Sequence, residues 1–257
     1  MTQIHPTAVI ESGAELDTDV AVGAYAIVGP HVRLGARTRV MPHVFLDGHT
    51  TIGPDCVIFP FASIGSQTQD LKFKGGVTYV EIGARTTLRE YVTVNSGTNA
   101  GDVTRVGEGC HIMAYSHVAH QCTVGNGVII SNAGTLAGHV VVEDFAVIGG
   151  LCGVHQFVRI GRMSIMGGCS KATQDIPPYM MADGNPASVH GVNTVGLQRR
   201  GVGEEARQHL KTLYRILYRE NLNTRQAVEK IRQTLPLIPE IQHVLEFVEA
   251  SERGITR

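Results

Sequence analysis

VGEGCHIMAYSHVAHQCTVGNGVIISNAGTLAGHVVVEDFAVIGGLCGVHQFVRIG (Val106–Gly161) carries an aliphatic residue at every sixth position: Val106, Ile112, Val118, Val124, Ile130, Leu136, Val142, Ile148, Val154 and Ile160. That period suits neither an amphipathic helix, which repeats every 3.6 residues, nor a half-buried strand, which repeats every two. Extended from Ile4 to Ala172, the same step visits 29 positions, of which 24 are Ile, Leu or Val. One aliphatic per six residues fits a triangular parallel β-helix. Each hexapeptide makes one flat face, three make a coil of 18 residues, and the aliphatics stack in ladders down a narrow interior. The next residue is often Gly, as at Gly23, Gly29, Gly35, Gly53, Gly65, Gly83, Gly107, Gly125, Gly149, Gly161 and Gly167, and these glycines are expected to supply tight turns.

The same architecture accounts for the composition. Of 257 residues 30 are Gly, Trp is absent and aromatics reach only 5%, because an interior with one aliphatic per face has little room for large rings. A hydrophobic content of 43% excludes a disordered chain, the Gly content is far below that of collagen, and no apolar run approaches a membrane span. With 22 Lys and Arg against 23 Asp and Glu, the formal net charge is −1. No global field therefore points to nucleic acid or an anionic membrane, and an acidic partner must meet a local basic patch. Without a long apolar run, no stable membrane insertion is expected. The N-terminus lacks the basic and continuous apolar regions of a secretory signal, so a cytoplasmic location is expected. Five cysteines without a CxxC pair (Cys56, Cys110, Cys122, Cys152 and Cys169) are expected to be buried free thiols.

The period loses its aliphatics at Asp70 and Gly76, within SQTQDLKFKGGVTY (Ser66–Tyr79), and at Ala100, within SGTNAGDVTR (Ser96–Arg105). Both segments are polar and the register returns in phase, so they read as excursion loops on a rigid scaffold, where function concentrates. After Ala172 the segment TQDIPPYMMADGNPA contains Pro177, Pro178 and Pro186, which are expected to end regular pairing. Beyond it the spacing changes to about 3.6 residues, predicting helices over 203–221, 224–235 with Thr224 as N-cap, and 239–251. The expected division is a β-helix over 1–185 and a helical domain over 186–257.

Seven segments go further: QDLK (Gln69–Lys72), HVAHQCTVGN (His117–Asn126), LAGHV (Leu136–Val140), GVHQFVRIG (Gly153–Gly161), GGCS (Gly167–Ser170), QDIPPY (Gln174–Tyr179) and GLQRRG (Gly196–Gly201). With the order of prism then helices, they closely resemble the UDP-N-acetylglucosamine acyltransferases, the hexapeptide-repeat family that opens lipid A biosynthesis. The resemblance implies an all-β left-handed parallel β-helix followed by a small α-helical C-terminal domain. It also implies a homotrimer with grooves between subunits and no cofactor or metal. The implied reaction moves a 3-hydroxyacyl chain from acyl carrier protein to the glucosamine 3-position of UDP-N-acetylglucosamine.

A sugar hydroxyl needs a general base at neutral pH, and His120 matches the family's base. Counting one 18-residue coil from His120 leads to Gly138, whose backbone N–H can serve the oxyanion. By resemblance, His117, His139, His155 and Gln156 face substrate in the groove. Asp70, assisted by Gln69, accepts from sugar hydroxyls, and Lys72 pairs with phosphate. Asn193 and Arg199 resemble residues at the nucleotide end, Arg200 belongs to a patch for the carrier protein, and Gly168 matches the position that bounds the acyl groove. A glycine there implies a longer acyl chain unless Met166 or Lys171 closes the groove.

The chain departs from the family at Gln121, where an acid commonly follows the base, and at Asn95-Ser96-Gly97-Thr98, Pro186 and Val195. These departures leave open what orients His120, and leave a 3-amino UDP-sugar as an alternative acceptor. The other readings are a different hexapeptide acyltransferase, a zinc hydratase on the same prism, and a non-catalytic trimeric scaffold.

Overall fold

The computed structural model describes residues 1–257. From Gln3 to Ala172 the chain winds as a left-handed parallel β-helix whose short strands stack into three faces. The first face starts with Gln3–Ile4 and Ala21–Val22, the second with Val9–Ile10 and Ile27–Val28, the third with Glu15–Leu16 and Arg33–Leu34. Ile112 pairs with Ile130 and Ile130 with Ile148, the 18-residue step that the period predicts. The second residue of each strand points inward. Leu46, Ile58, Ile112, Ile130, Leu136, Ile148 and Ile160 are wholly buried, each contributing about 1.5–3 kcal/mol relative to exposure. Only the first coil is open at its end, where Ile4 is 48% exposed.

The repeat glycines act differently from expectation. Apart from Gly65 (φ +85°), none of those eleven has a positive φ; the left-handed corner conformation falls two residues later, on Tyr25, Arg37, Asp55 and Arg85. What the glycines provide is close approach between coils. A Cβ on Gly35 would lie 2.5 Å from the Pro54 nitrogen, and one on Gly23 would lie 2.7 Å from the Pro42 nitrogen. The inner corners carry small donors that bond across coils. Thr38 and Thr86 donate to the Gly53 and Gly107 carbonyls, both at 2.8 Å, and the Cys110 and Cys122 thiols reach the Gly125 and Ala137 carbonyls at 3.1 Å. Burial pushes the Cys110 thiol up to about 11 and the Cys122 thiol to about 12, which keeps them unreactive. Cys169 corrects the expectation of five buried thiols: it is exposed at a corner. The aromatic side chains absent from the prism interior stand outside, where Tyr25, His43, Phe61, Tyr91 and Tyr115 stack along one corner at centroid spacings of 5.2, 5.1, 5.0 and 4.8 Å.

Both excursions leave the corner between the second and third faces, between strands Ser63–Ser66 and Tyr79–Ile82 and between Thr93–Asn95 and Val103–Val106. Strand pairing therefore resumes at Val103, earlier than the expected Arg105, because Val103 and Thr104 continue the ladder with Tyr79 and Val80.

Pairing also persists past the prolines. Met180–Gly184 joins the first face in parallel with Ile165–Met166 and then turns back into Ala187–Val192 as an antiparallel hairpin, with Pro186 in the turn. Proline blocks a donor only at its own position, and a hairpin turn needs none there. This hairpin crosses the expected division at residue 185.

Four helices follow: α1 (Thr194–Arg199), α2 (Glu204–Arg219), α3 (Thr224–Thr234) and α4 (Pro239–Glu249). In α2, Leu210, Leu213, Ile216 and Leu217 form the buried stripe, and Glu204 and Glu205 occupy the first turn where the helix dipole favours anions. The N-cap of α3 is Asn223, not Thr224. Asn223 accepts from the Gln226 N–H at 2.9 Å while the Gln226 side chain accepts from the Asn223 N–H at 3.1 Å, a capping box that Thr224 cannot make. The helices are clasped to the prism by His243, whose Nε2 meets Glu143 at 2.7 Å, and by the Arg159 guanidinium 4.2 Å over the Phe247 ring. The C-terminal segment bridges back through Asp175, which accepts from the Ser251 hydroxyl and the Thr256 N–H, both at 2.7 Å.

Gly35→Ala forces backbone apart between coils and is expected to cost about 1–3 kcal/mol in a denaturant melt. Gly153→Ala, where a Cβ would touch nothing within 4 Å, is expected to be nearly neutral, and equal effects of the two would refute the close-approach reading.

Candidate active site

His120 sits at the corner between the second and third faces, just after the strand His117–Val118 and directly beneath both excursion loops. Gly138 and Gln156 follow it one and two coils along, while Gln121, His139 and Phe157 form the adjacent column, all three with positive φ. The His120 ring lies edge-on to His139 at 5.3 Å, and His139 stacks on Phe157 at 4.7 Å. A Cβ on Gly138 would overlap the His120 ring, so this glycine makes room for it; the Gly138 N–H bonds to no other backbone group.

The first loop delivers Asp70 to the same point, with its Oδ2 4.0 Å from His120 Nε2. Asp70 accepts from the Lys72 N–H at 3.0 Å and the Thr98 hydroxyl at 3.2 Å. Those bonds, with the charges of His120 and Lys72, hold its carboxyl below the usual range, so it is anionic at neutral pH. Gln69 and Lys72 are exposed beside it. Burial, then the charge of His120, lowers the pKa of His117 and His139, so both stay neutral at pH 7. His117 is fixed by Thr93, whose hydroxyl meets its Nδ1 at 2.7 Å.

Gln121 follows His120 directly. Its Oε1 meets His120 Nδ1 and its Nε2 meets the Asp102 carboxylate in the second loop. Sequence reasoning missed Asp102 and Thr93, whose only signal was membership of, or adjacency to, the interruption at 96–105; Thr98 entered only as the end of the departing Asn95–Thr98 run. It also missed Arg253, whose guanidinium comes from the C-terminal segment to 3.4 Å from His155 Nδ1 and donates to the Thr173 carbonyl at 3.3 Å.

The remaining candidates do not converge on His120 within one chain. His155 and Gln156 share its corner, two coils away, and are exposed. Gly168 lies at the corner between the first and second faces, the far edge of the second face, with open space around it: an added Cβ would touch only the Gly150 carbonyl, at 3.5 Å. Met166 points into the core and cannot close a groove, whereas Lys171 is exposed on the second face. Asn193 caps α1, accepting from the Gly196 N–H at 3.1 Å and donating to the Met163 carbonyl at 2.9 Å. Arg200 stacks 4.3 Å over Phe145 at the corner between the third and first faces, next to the exposed Arg199.

Comparison with known proteins agrees with the order of hexapeptide prism then helices. The family model described as UDP N-acetylglucosamine O-acyltransferase, domain 2, matches residues 175–256, and the bacterial transferase hexapeptide model matches 104–137. The chain is 50% identical to an acyl-[acyl-carrier-protein]–UDP-N-acetylglucosamine O-acyltransferase of Thermodesulfovibrio yellowstonii and 53% identical to one of Paracidovorax citrulli, over the full length of each protein. Among solved structures it is similar to LpxA from Acinetobacter baumannii, with a TM-score of 0.95, 41% identity and 99% of both chains covered. The UDP-N-acetylglucosamine acyltransferase of Campylobacter jejuni superposes with a TM-score of 0.93 at 38% identity, again over 99% of both chains.

Gly138→Ala is expected to displace the His120 ring and break its contact with Gln121 while the prism stays folded. Ring-nitrogen NMR of His120 reads this directly, and an unchanged ring signal would show that Gly138 is not the seat of the imidazole.

Proposed function

The chain belongs to the family of acyl-carrier-protein-dependent UDP-N-acetylglucosamine O-acyltransferases, and we propose that it carries out that reaction with His120 as general base in a groove completed by a neighbouring copy. The reaction is acyl transfer from the thioester of acyl carrier protein to UDP-N-acetylglucosamine, the opening step of lipid A biosynthesis. The observation that carries the site assignment is the convergence of His120 Nε2, the Asp70 carboxylate 4.0 Å away and Gly138 at one corner.

In this reading Asp70, with Gln69, accepts from hydroxyls of the glucosamine, and Lys72 pairs with the diphosphate. The sugar 3-hydroxyl attacks the thioester carbonyl while His120 Nε2 takes its proton. The tetrahedral oxyanion forms beside the Gly138 N–H, and a donor so placed is worth about 3 kcal/mol of barrier. Collapse breaks the carbon–sulfur bond, and the imidazolium returns its proton to the departing carrier thiolate. The acceptor ester and the free thiol are the products. His117, His139, His155 and Gln156 line the approach of the two substrates.

The placement of the remaining residues supports the homotrimer. His120, Gly168 and the Asn193–Arg200 segment stand at the three different corners of one prism, and a threefold arrangement of prisms brings unlike corners together. The nucleotide contacts of Asn193 and Arg199, and the carrier-protein contact of Arg200, then serve the groove of the adjacent copy. Gly168 is about 13 Å along the prism axis from His120, from the ~4.8 Å spacing of parallel strands. With nothing but the Gly150 carbonyl near it, Gly168 leaves room for a long 3-hydroxyacyl chain. No helix is long and apolar enough to cross a membrane. The cytoplasmic location belongs to the same proposal and is supported by four buried, unpaired thiols.

His120→Ala is expected to lower transfer at least ~1,000-fold, within the range for general-base loss together with transition-state contacts, while UDP-N-acetylglucosamine still binds; near-normal turnover would end the base assignment. Gly168→Met should shift preference to shorter acyl chains in a panel of 3-hydroxyacyl carrier proteins, and an unchanged profile would refute the ruler. Mixing inactive His120→Ala with an inactive Arg199→Ala protein, then reassembling, should restore part of the activity if the groove is shared, and none if each chain holds a whole site.

A further inference from the structure

We propose that Asp102 is a positioning residue for the transfer, holding His120 in its working tautomer through the side-chain amide of Gln121. The inference rests on His120 as the base and deepens that reading.

The argument is one of hydrogen-bond capacity. A carboxylate has no proton to donate, so the end of Gln121 that faces Asp102 must be the NH2 group. That choice leaves the amide oxygen on His120 Nδ1. A carbonyl oxygen only accepts, so Nδ1 must carry the ring hydrogen. The lone pair is then on Nε2, the nitrogen beside Gly138 and Asp70 where the sugar hydroxyl has to be deprotonated.

Take away the carboxylate and nothing sets the sense of the amide. Its two ends are nearly equal in shape, so the flipped amide presents NH2 to Nδ1 and places a hydrogen on Nε2. The imidazole in that state is useless as a base. Asp102 also supplies the negative charge that Gln121 lacks, one side chain further from the ring than an acid directly after the base would be.

Asp102 is itself held firmly. The Asn99 N–H and side-chain NH2 donate to the same Oδ2 at 2.6 and 3.1 Å. A Cβ on Gly97 would overlap the Asp102 Cβ, so the loop backbone is packed against it. Gln121 is anchored at the other end, its N–H donating to the Thr104 hydroxyl at 2.9 Å. The charged and titratable groups around His120 are Asp70 and Lys72 from the first loop, His117 and His139 from the prism, and Asp102 from the second loop. Of these, only Asp102 connects to Nδ1.

The test compares Asp102→Ala, Gln121→Glu/Asp102→Ala and His120→Ala in the whole chain, reading kcat and kcat/KM against pH, UDP-N-acetylglucosamine affinity and melting temperature. Alanine is used because all three donors on Asp102 meet one oxygen, which an Asn carbonyl would replace. Asp102→Ala should lower kcat about 10- to 100-fold, up to the lower end of what a positioned proton-transfer group contributes. Sugar-nucleotide affinity should stay within about threefold. The acid limb of kcat/KM should move to lower pH, because removing a negative charge makes the protonated base easier to deprotonate. The double variant moves the acid next to Nδ1, where it accepts the ring hydrogen directly, and should recover at least about tenfold over Asp102→Ala.

Wild-type kcat and an unshifted acid limb in Asp102→Ala, or no recovery in the double variant, would overturn the relay while an inactive His120→Ala leaves the base assignment standing. Active His120→Ala would overturn both. If Asp102→Ala fails to fold, ring 15N shifts of His120 in the unmodified protein decide the matter: a hydrogen on Nδ1 supports the relay, and a hydrogen on Nε2 refutes it.

Discussion

The constraint on which the rest depends is that each coil must lie against the next at the spacing of a parallel ladder. Everything within that contact is dictated by it. One aliphatic per face fills the interior, glycine stands where the next coil's backbone comes within reach, and small hydroxyls or thiols at the inner corners satisfy carbonyls of the following coil. Large rings are driven to the outside, where the same repeat stacks them into a column. The scaffold is rigid because neighbouring coils share a hydrogen-bond ladder on every face.

A rigid prism can place side chains accurately, but its flat faces and corners bring few polar side chains together at one point. The two loops correct this. Both leave the same corner, one bringing Asp70 toward His120 Nε2 and the other bringing Asp102 to the far side of the Gln121 amide. The imidazole is thereby approached from two directions by elements distant in sequence. Its seat is a glycine of the next coil, which means that the same close stacking that builds the scaffold also fixes the His120 ring.

Much of this was legible in the sequence, for a physical reason: a six-residue repeat ties each position to a face, so Gly138 could be placed beside His120 by counting alone. The loops were visible as interruptions of the count. What could not be read was chemistry that depends on loop geometry. Nothing local distinguishes Asp102 from any other acid in a polar loop, and Arg253 reaches His155 across 98 residues. The left-handed corner residues were misassigned to glycine because propensity favours glycine there, whereas stacking needs it elsewhere. The hairpin across Pro186 and the Asn223 cap were missed because proline and threonine were weighed alone, without the partner strand or the Gln226 that completes the box.

The ladder registers carry one more consequence, for how such a chain can change length. Partners across an ordinary coil are 18 residues apart, but Ile64 pairs with Val94 and Val94 with Val118, steps of 30 and 24. A residue lost from within a coil would turn every later side chain outside in, since faces are assigned by counting. A residue lost from either excursion changes only the reach of an arm. The prism therefore tolerates no slippage in its count, whereas 67–78 and 96–102 can change length without disturbing the register of the coils on either side.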